Sequence, residues 1–232
     1  MAKLTLMMLV KNEANRFLRQ MLDSASEYVD EIVILDDNST DNTYEICASY
    51  PKVVKLEKVQ GTDFATNESI PRIHLFEMTK QTNPDWIISL DADEIMEDRF
   101  KREIRQIIEN PNGMYWFGIM FYHFWHCLTH YRIDKMWRPS GGARIFKYIP
   151  GYDYQWRMTR LHCGSLPSNI FDKFPGVYTN YRVKHYGYGD GIERTKQKYY
   201  WYIERDPNNE NCPRSHYDSM LDTNPVLEEW KE

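Results

Sequence analysis

The sequence predicts an α/β domain: a doubly wound, mostly parallel sheet with helices on both faces, continued by an aromatic-rich mixed C-terminal half. Three observations predict it. Continuous apolar runs of strand length, LTLMMLV (4–10), EIVILDD (31–37) and WIISL (86–90), alternate with stretches of helical spacing. Such runs mark strands covered on both faces, and their alternation with helices implies parallel pairing through right-handed crossovers. The same three runs each end in a polar cluster, KNE, DDNSTD and DADE. After residue 113 the texture changes to aromatic strands and loops: MYWFGIMFYHF, ARIFKY with a GYDY turn, and VYTNYRVKHYGY.

The elements follow in order. After the first strand and the turn KNEAN, the segment FLRQMLDSASEYV repeats Phe17, Leu18, Met21, Leu22 and Ala25 at helical spacing. The second strand ends in Asp36 and Asp37, and Ser39 or Thr40 is placed to cap a helix that begins near Asp41. VVKLEKV (53–59) is the third strand. A helix is expected over 67–81, interrupted early by Pro71, and WIISL is the fourth strand. EDRFKREIRQIIEN (97–110) sets Phe100, Ile104, Ile107 and Ile108 on one helical face, with Pro111 and Gly113 closing it. A last helix is expected over 191–205, before a polar tail with Pro207, Pro213 and Pro225. The chain thus divides into residues 1–110, residues 111–205 of the same domain, and a tail, 206–232.

Composition narrows the function classes. With 232 residues, 42% of them hydrophobic, the chain can bury a full core. Its net charge of -5 argues against a duplex-DNA surface, which needs a basic excess to neutralise phosphates. Cys47, Cys127, Cys163 and Cys212 form no C-x-x-C pair, so neither a zinc knuckle nor a redox dithiol is signalled, and reduced thiols in a cytoplasmic protein are expected. The apolar run at the N-terminus is too short for a membrane span, as is every later one, so any membrane contact is expected to be peripheral.

Open α/β sheets carry their sites at the carboxyl ends of the strands, so the three polar clusters are expected to converge in one crevice. Asp91 and Asp93 flank a single small residue and project two carboxylates from one turn. Carboxylates that close repel unless a proton or cation lies between them, and a hard ion, Mg2+ or Mn2+, held by one or two carboxylates plus substrate phosphates fits the pair. A solvated turn ahead of an acid-rich helix start is the structural alternative. An EF-hand loop is disfavoured by the preceding strand and by the lack of a glycine at its sixth position. Asp36 and Asp37 can accept from ribose hydroxyls or a base N–H, or can serve an Asx-type turn and helix cap. Neither G-x-G-x-x-G nor a P-loop occurs.

Taken together, MLVKNEA (8–14), EIVILDDNSTDNT (31–43) and WIISLDADEI (86–95) resemble the family 2 glycosyltransferases in order, spacing and strand context. The resemblance implies a GT-A fold, Rossmann-like in its sheet, and a metal-dependent, inverting transfer of a sugar from a nucleotide sugar, a UDP-sugar foremost, to a glycan or other hydroxyl acceptor. It makes residues 1–110 the donor-binding half and 111–205 the acceptor-binding and catalytic half. It implies that Asp37, with Asp36 beside it, holds the base or ribose, that Val10 and Glu13 line the same pocket, and that Arg72 helps with the pyrophosphate. Asp91 and Asp93 match the D-x-D element, and His185 lies where such enzymes often place a further metal ligand. RMTRLHCG resembles a segment that often reads H-E, and here Cys163 replaces the acid. For the base that deprotonates the acceptor, Asp153, Asp134 and His162 are candidates, Asp153 favoured for its aromatic loop. Two rivals remain: a sugar-phosphate nucleotidyltransferase, which would show a glycine-rich loop in place of KNEAN, and a catalytically silent carbohydrate-binding domain on the same fold.

Overall fold

The computed structural model describes residues 1–60 and 67–232. Its first half is built on β1 (Leu4–Val10), β2 (Glu31–Asp36), β3 (Val53–Lys58) and β4 (Trp86–Ser89), all parallel and ordered β3-β2-β1-β4. Alternation along β1 explains why its sequence is apolar throughout. Leu4, Leu6, Met8 and Val10 face a core shared with α1 (Leu18–Ser26) and α2 (Thr43–Ala48), whereas Met7 faces a second core under α3 (Ser69–Lys80). Both faces are therefore dry, and burying each such side chain is worth ~1.5–3 kcal/mol. α4 (Asp98–Glu109) returns to the first face and buries Phe100, Ile104 and Ile108.

The second half extends the sheet with mixed pairing. It comprises β5 (Glu94–Met96), β6 (Trp116–Trp125), β7 (His130–Arg132), β8 (Ser140–Lys147), β9 (Gly176–Tyr188) and β10 (Leu227–Glu229), with helices α5 (Ile170–Lys173), α6 (Ile192–Arg205) and α7 (Arg214–Asp218). β8 joins antiparallel to β4, β6 antiparallel to β8, and β9 parallel to β6. The short β5 was not foreseen. It pairs antiparallel with β9 and sets Glu94 opposite His185, which brings the DADE turn against a strand 90 residues further along the chain.

Local chemistry departs from the sequence expectation at three places. Pro71 does not interrupt α3: it lies in the first helical turn, where a missing N–H leaves no intrahelical bond unmade. Neither Ser39 nor Thr40 caps α2. The helix begins at Thr43, and Asp41 Oδ1 accepts from the Thr43 amide at 3.0 Å and its hydroxyl at 2.6 Å. Residues 206–232, expected as a tail, pack into the body. Tyr217 and Met220 join Trp125, Trp137, Tyr188 and Tyr199 in a third buried cluster, and β10 pairs with β7.

Candidate active site

A cavity of about 700 Å3 opens at the carboxyl ends of β1, β2 and β4 and is walled on its far side by β6, β9, α6 and the loop before α5. The loops after β1 and β2 are laced together to form its floor. The Asn12 amide donates to Ser39 Oγ (2.9 Å), the Glu13 amide to Thr43 Oγ1 (2.7 Å) and the Thr40 amide to Asn12 Oδ1 (2.8 Å). Asn12 takes a left-handed backbone, φ 54°, which asparagine tolerates and which makes the sharp turn after β1 feasible.

Strand alternation separates the two aspartates that end β2. Asp37 lines the cavity, and its carboxylate pairs with Lys11 at 3.1 Å. Asp36 does not line it. It is fully buried and uses Oδ1 to accept from the Ser39 amide at 2.6 Å, so of the two roles open from sequence it takes the turn cap. Val10 and Glu13 line the cavity as expected, and Glu13 is gripped through both oxygens by Arg16 at 2.8 and 2.9 Å. Burial, with Asp93 adding repulsion, pushes the Glu13 carboxyl up to about 7 against the pull of Arg16.

The three acids of the DADE turn meet different partners. Asp91 Oδ1 lies 3.5 Å from Arg72, and although burial opposes it, Arg72 and Arg144 hold the Asp91 carboxyl below the usual carboxylate range. Asp93 lies between Arg16 and His185, 3.7 Å from each. Glu94, which the sequence left without a role, turns inward: it accepts from the Asp91 amide at 3.0 Å and pairs with Arg144 at 3.1 Å. Burial pushes its carboxyl up to about 7, with Arg144 opposing and Asp91 reinforcing the rise.

His185 enters from β9. Burial and the neighbouring Lys198 push its imidazole down to about 3, so it is neutral at physiological pH, the form in which imidazole can ligate a metal. Its Nδ1 lies 2.7 Å from Nδ1 of His123 on β6, so one ring donates a proton to the other and the His185 tautomer is coupled to that of His123. Gly187 makes this packing feasible, because a Cβ there would come within 2.7 Å of His185 Nε2 and 2.9 Å of Lys198 Nζ.

The base candidates separate cleanly. His162 faces the cavity with its ring stacked on Tyr202 at 5.7 Å. Asp153 is exposed outside it, with Gln155 as its side-chain partner, and Asp134 is bound to Arg132 in the third cluster. Cys163 is buried, and burial pushes its thiol up to about 11, so it does not substitute for an acid there. Sequence reading missed Arg16, Glu68, Glu94, His123, Arg144 and Lys198. Arg16 and Glu68 carried a local signal, their i,i+3 and i,i+4 spacing from Glu13 and Arg72, and Glu94 lies within the DADE cluster itself; His123, Arg144 and Lys198 arrive from distant strands and a helix.

Among the described residues, no three His, Cys, Asp or Glu side chains converge closely enough to cage an ion by themselves. A cation that arrives with a diphosphate needs only one or two protein carboxylates. Asp91, Asp93 and neutral His185 all line the cavity and offer hard oxygens and one nitrogen to a cation of the Mn2+ or Mg2+ kind.

Residues 5–163 match the family model described as Glycosyl transferase family 2. The chain belongs to this family. An uncharacterised protein of Mycobacterium tuberculosis is 26% identical over 208 residues, covering 84% of this chain and 49% of its own length. An uncharacterised glycosyltransferase of Rickettsia felis is 30% identical over 112 residues, 48% of this chain and 36% of its own length. The chain therefore spans about half the length of the mycobacterial relative it matches. Among solved structures, S. aureus TarS 1–349 in complex with UDP-GlcNAc superposes with a TM-score of 0.56 at 13% identity, covering 94% of this chain and 70% of that one. At that identity the likeness speaks to the fold, and the expected GT-A architecture is borne out.

Proposed function

We propose that this family 2 glycosyltransferase domain moves a sugar from a nucleotide sugar, a UDP-sugar foremost, to a hydroxyl acceptor by a metal-dependent, inverting displacement. One observation carries the reading: Asp37, Asp91, Asp93 and His185, from two strand ends and a distant strand, meet in one cavity with Arg16 and Arg72 beside them. The UDP-GlcNAc complex of TarS supports a uridine donor.

In this reading Asp37, a pure acceptor, takes N–H or O–H groups of the base or ribose. Arg72, 3.5 Å from Asp91, offers a planar fork to the diphosphate. Asp91, Asp93 and His185 would hold a divalent cation, which supplies neutralisation of the charge that develops on the leaving diphosphate. The His162 imidazole takes the proton of the acceptor hydroxyl as that oxygen bonds to the anomeric carbon and the bond to the diphosphate oxygen breaks on the opposite face. No helix among the described residues is long and apolar enough to cross a membrane, and the four cysteines are free thiols, which suits the cytoplasm.

UDP release from UDP-GlcNAc and UDP-glucose, with and without Mn2+, tests the reading. Asp93→Ala is expected to lower metal-dependent turnover by about two orders of magnitude or more. Full activity of that variant, or no stabilisation of the protein by any UDP-, GDP- or dTDP-sugar with Mn2+, would sink it. Cys163 in place of an acid keeps a silent carbohydrate-binding domain as a second reading, for which nucleotide sugars would bind without turnover.

A further inference from the structure

Glu68 stands at the N-cap of α3, yet its side chain makes no capping bond to its own helix. Both carboxylate oxygens are spent elsewhere. Oε1 accepts from Arg72 Nε at 3.0 Å, one helical turn along α3, and Oε2 accepts from the His162 backbone amide at 2.6 Å, on the loop before α5. The side chain is nine-tenths buried and lines the cavity. Arg72, buried to the same degree, continues the chain of contacts to Asp91. A carboxylate that accepts two charge-assisted or backbone bonds in a poorly solvated place fixes both partners in direction as well as in distance.

The partner on the loop needs such fixing. His162 has φ 58°, a left-handed backbone that is uncommon for a residue bearing a Cβ and that its surroundings help to hold. Neighbouring contacts dock the loop, and among the described residues the His162 amide donates to Glu68. The Glu68 amide donates to the Arg160 carbonyl at 3.1 Å, and the Thr159 amide donates to Ser69 Oγ at 3.0 Å. His162 is the position where the loop turns its ring toward Tyr202 and the cavity.

We propose that Glu68 is a positioning residue for sugar transfer: one oxygen aims Arg72 toward the donor diphosphate, and the other holds the His162 backbone so that its ring faces the acceptor. The inference rests on the nucleotide-sugar reading above. A single side chain then sets the donor end and the acceptor end of the site together. Glu68→Gln separates the two tasks, because one amide oxygen can satisfy only one of the two N–H donors while the amide NH2 opposes the other.

The test follows two sets of signals in wild type, Glu68→Gln and Glu68→Ala. The first is NMR of the His162 amide and the Arg72 Nε–H, which needs no nucleotide. The second is UDP affinity by calorimetry with Mn2+, together with the pH profile of UDP release from UDP-glucose. In Glu68→Ala both NMR signals are expected to move, UDP affinity to fall ~10-fold and turnover to fall ~10–100-fold with an altered pH profile, the scale of lost outer-shell support. Glu68→Gln is expected to restore at most one of the two functions. If the variants leave both NMR signals in place, or alter UDP affinity and turnover by less than about two-fold in a wild type that binds UDP, the proposal is overturned. If wild type binds no UDP while both signals move in the variants, the nucleotide-sugar reading fails and Glu68 remains the link between the two elements.

Discussion

Arg132 offers a measurable account of how the C-terminal segment is held. Its side chain is fully buried, lies over Trp125 at 4.5 Å and Trp137 at 5.7 Å, donates Nη1 to the Ser219 carbonyl at 2.6 Å, and pairs with both Asp134 and Asp222. Arg132→Ala removes the cation, opens a gap beside two tryptophans and leaves the Ser219 carbonyl only the Asp222 amide, at 3.3 Å, of its two donors. Breaking a buried ion pair costs ~3–5 kcal/mol, but Asp134 and Asp222 are about a fifth to a quarter exposed and can turn to water, so ~2–4 kcal/mol is the fitting range. For a domain of this size each kcal/mol lowers Tm by about 2–4 °C, which places the drop at roughly 5–15 °C. Thermal and urea melts of Arg132→Ala and Arg132→Lys measure it; Lys keeps the charge but cannot reach all three partners, so an intermediate loss is expected. The third cluster seats α6, so UDP affinity should weaken in parallel. A Tm within about 2 °C of wild type would show that residues 206–232 are not fastened by this residue.

Three further outcomes are expected. Gly187→Ala should leave the fold intact but weaken UDP binding with Mn2+ by ~10-fold or more, because the added methyl must displace the His185 ring or the Lys198 amine. Asp153→Ala should leave UDP release within about two-fold of wild type, since the residue lies outside the cavity; a loss of two orders of magnitude would return it to the site. The rise of the Glu94 carboxyl from 4.5 to about 7 means that the folded state binds a proton more tightly than the unfolded chain. Its stabilising contribution, roughly 3 kcal/mol at most, is present below pH 4.5 and lost as pH rises through 7. Melts of Glu94→Gln and wild type between pH 5 and 8 should therefore diverge as pH rises, with the wild type losing more.

Much of the fold was legible because burial on two faces leaves a direct mark: β1, β2 and β4 read as unbroken apolar runs, and each hands its polar residues to the cavity at its carboxyl end. Pro71 shows the limit of a composition rule, since the same residue breaks a helix in its interior and is harmless in its first turn. Asp36 and Asp37 show the limit of a motif. The two are chemically identical, and the one-residue alternation of a strand sends one into a turn cap and the other into the cavity. The aromatic neighbourhood of Asp153 favours it from sequence, but the ring of Tyr152 packs on Tyr154 and Phe174, leaving the carboxylate at the surface.

By itself the sequence determined the parallel half-sheet, the place of the crevice and the paired carboxylates at the end of β4, because these depend on local periodicity and on residues within one turn. Tertiary structure alone decided what each charge meets. Glu94 finds Arg144, Asp93 finds Arg16 and His185, and Glu68 joins Arg72 to His162. Those encounters are set by β5 pairing with β9 and by a loop docked on the start of α3, contacts between segments some 90 residues apart. Coulomb and hydrogen-bond energies depend on distance in space, and spacing along the chain carries no record of it.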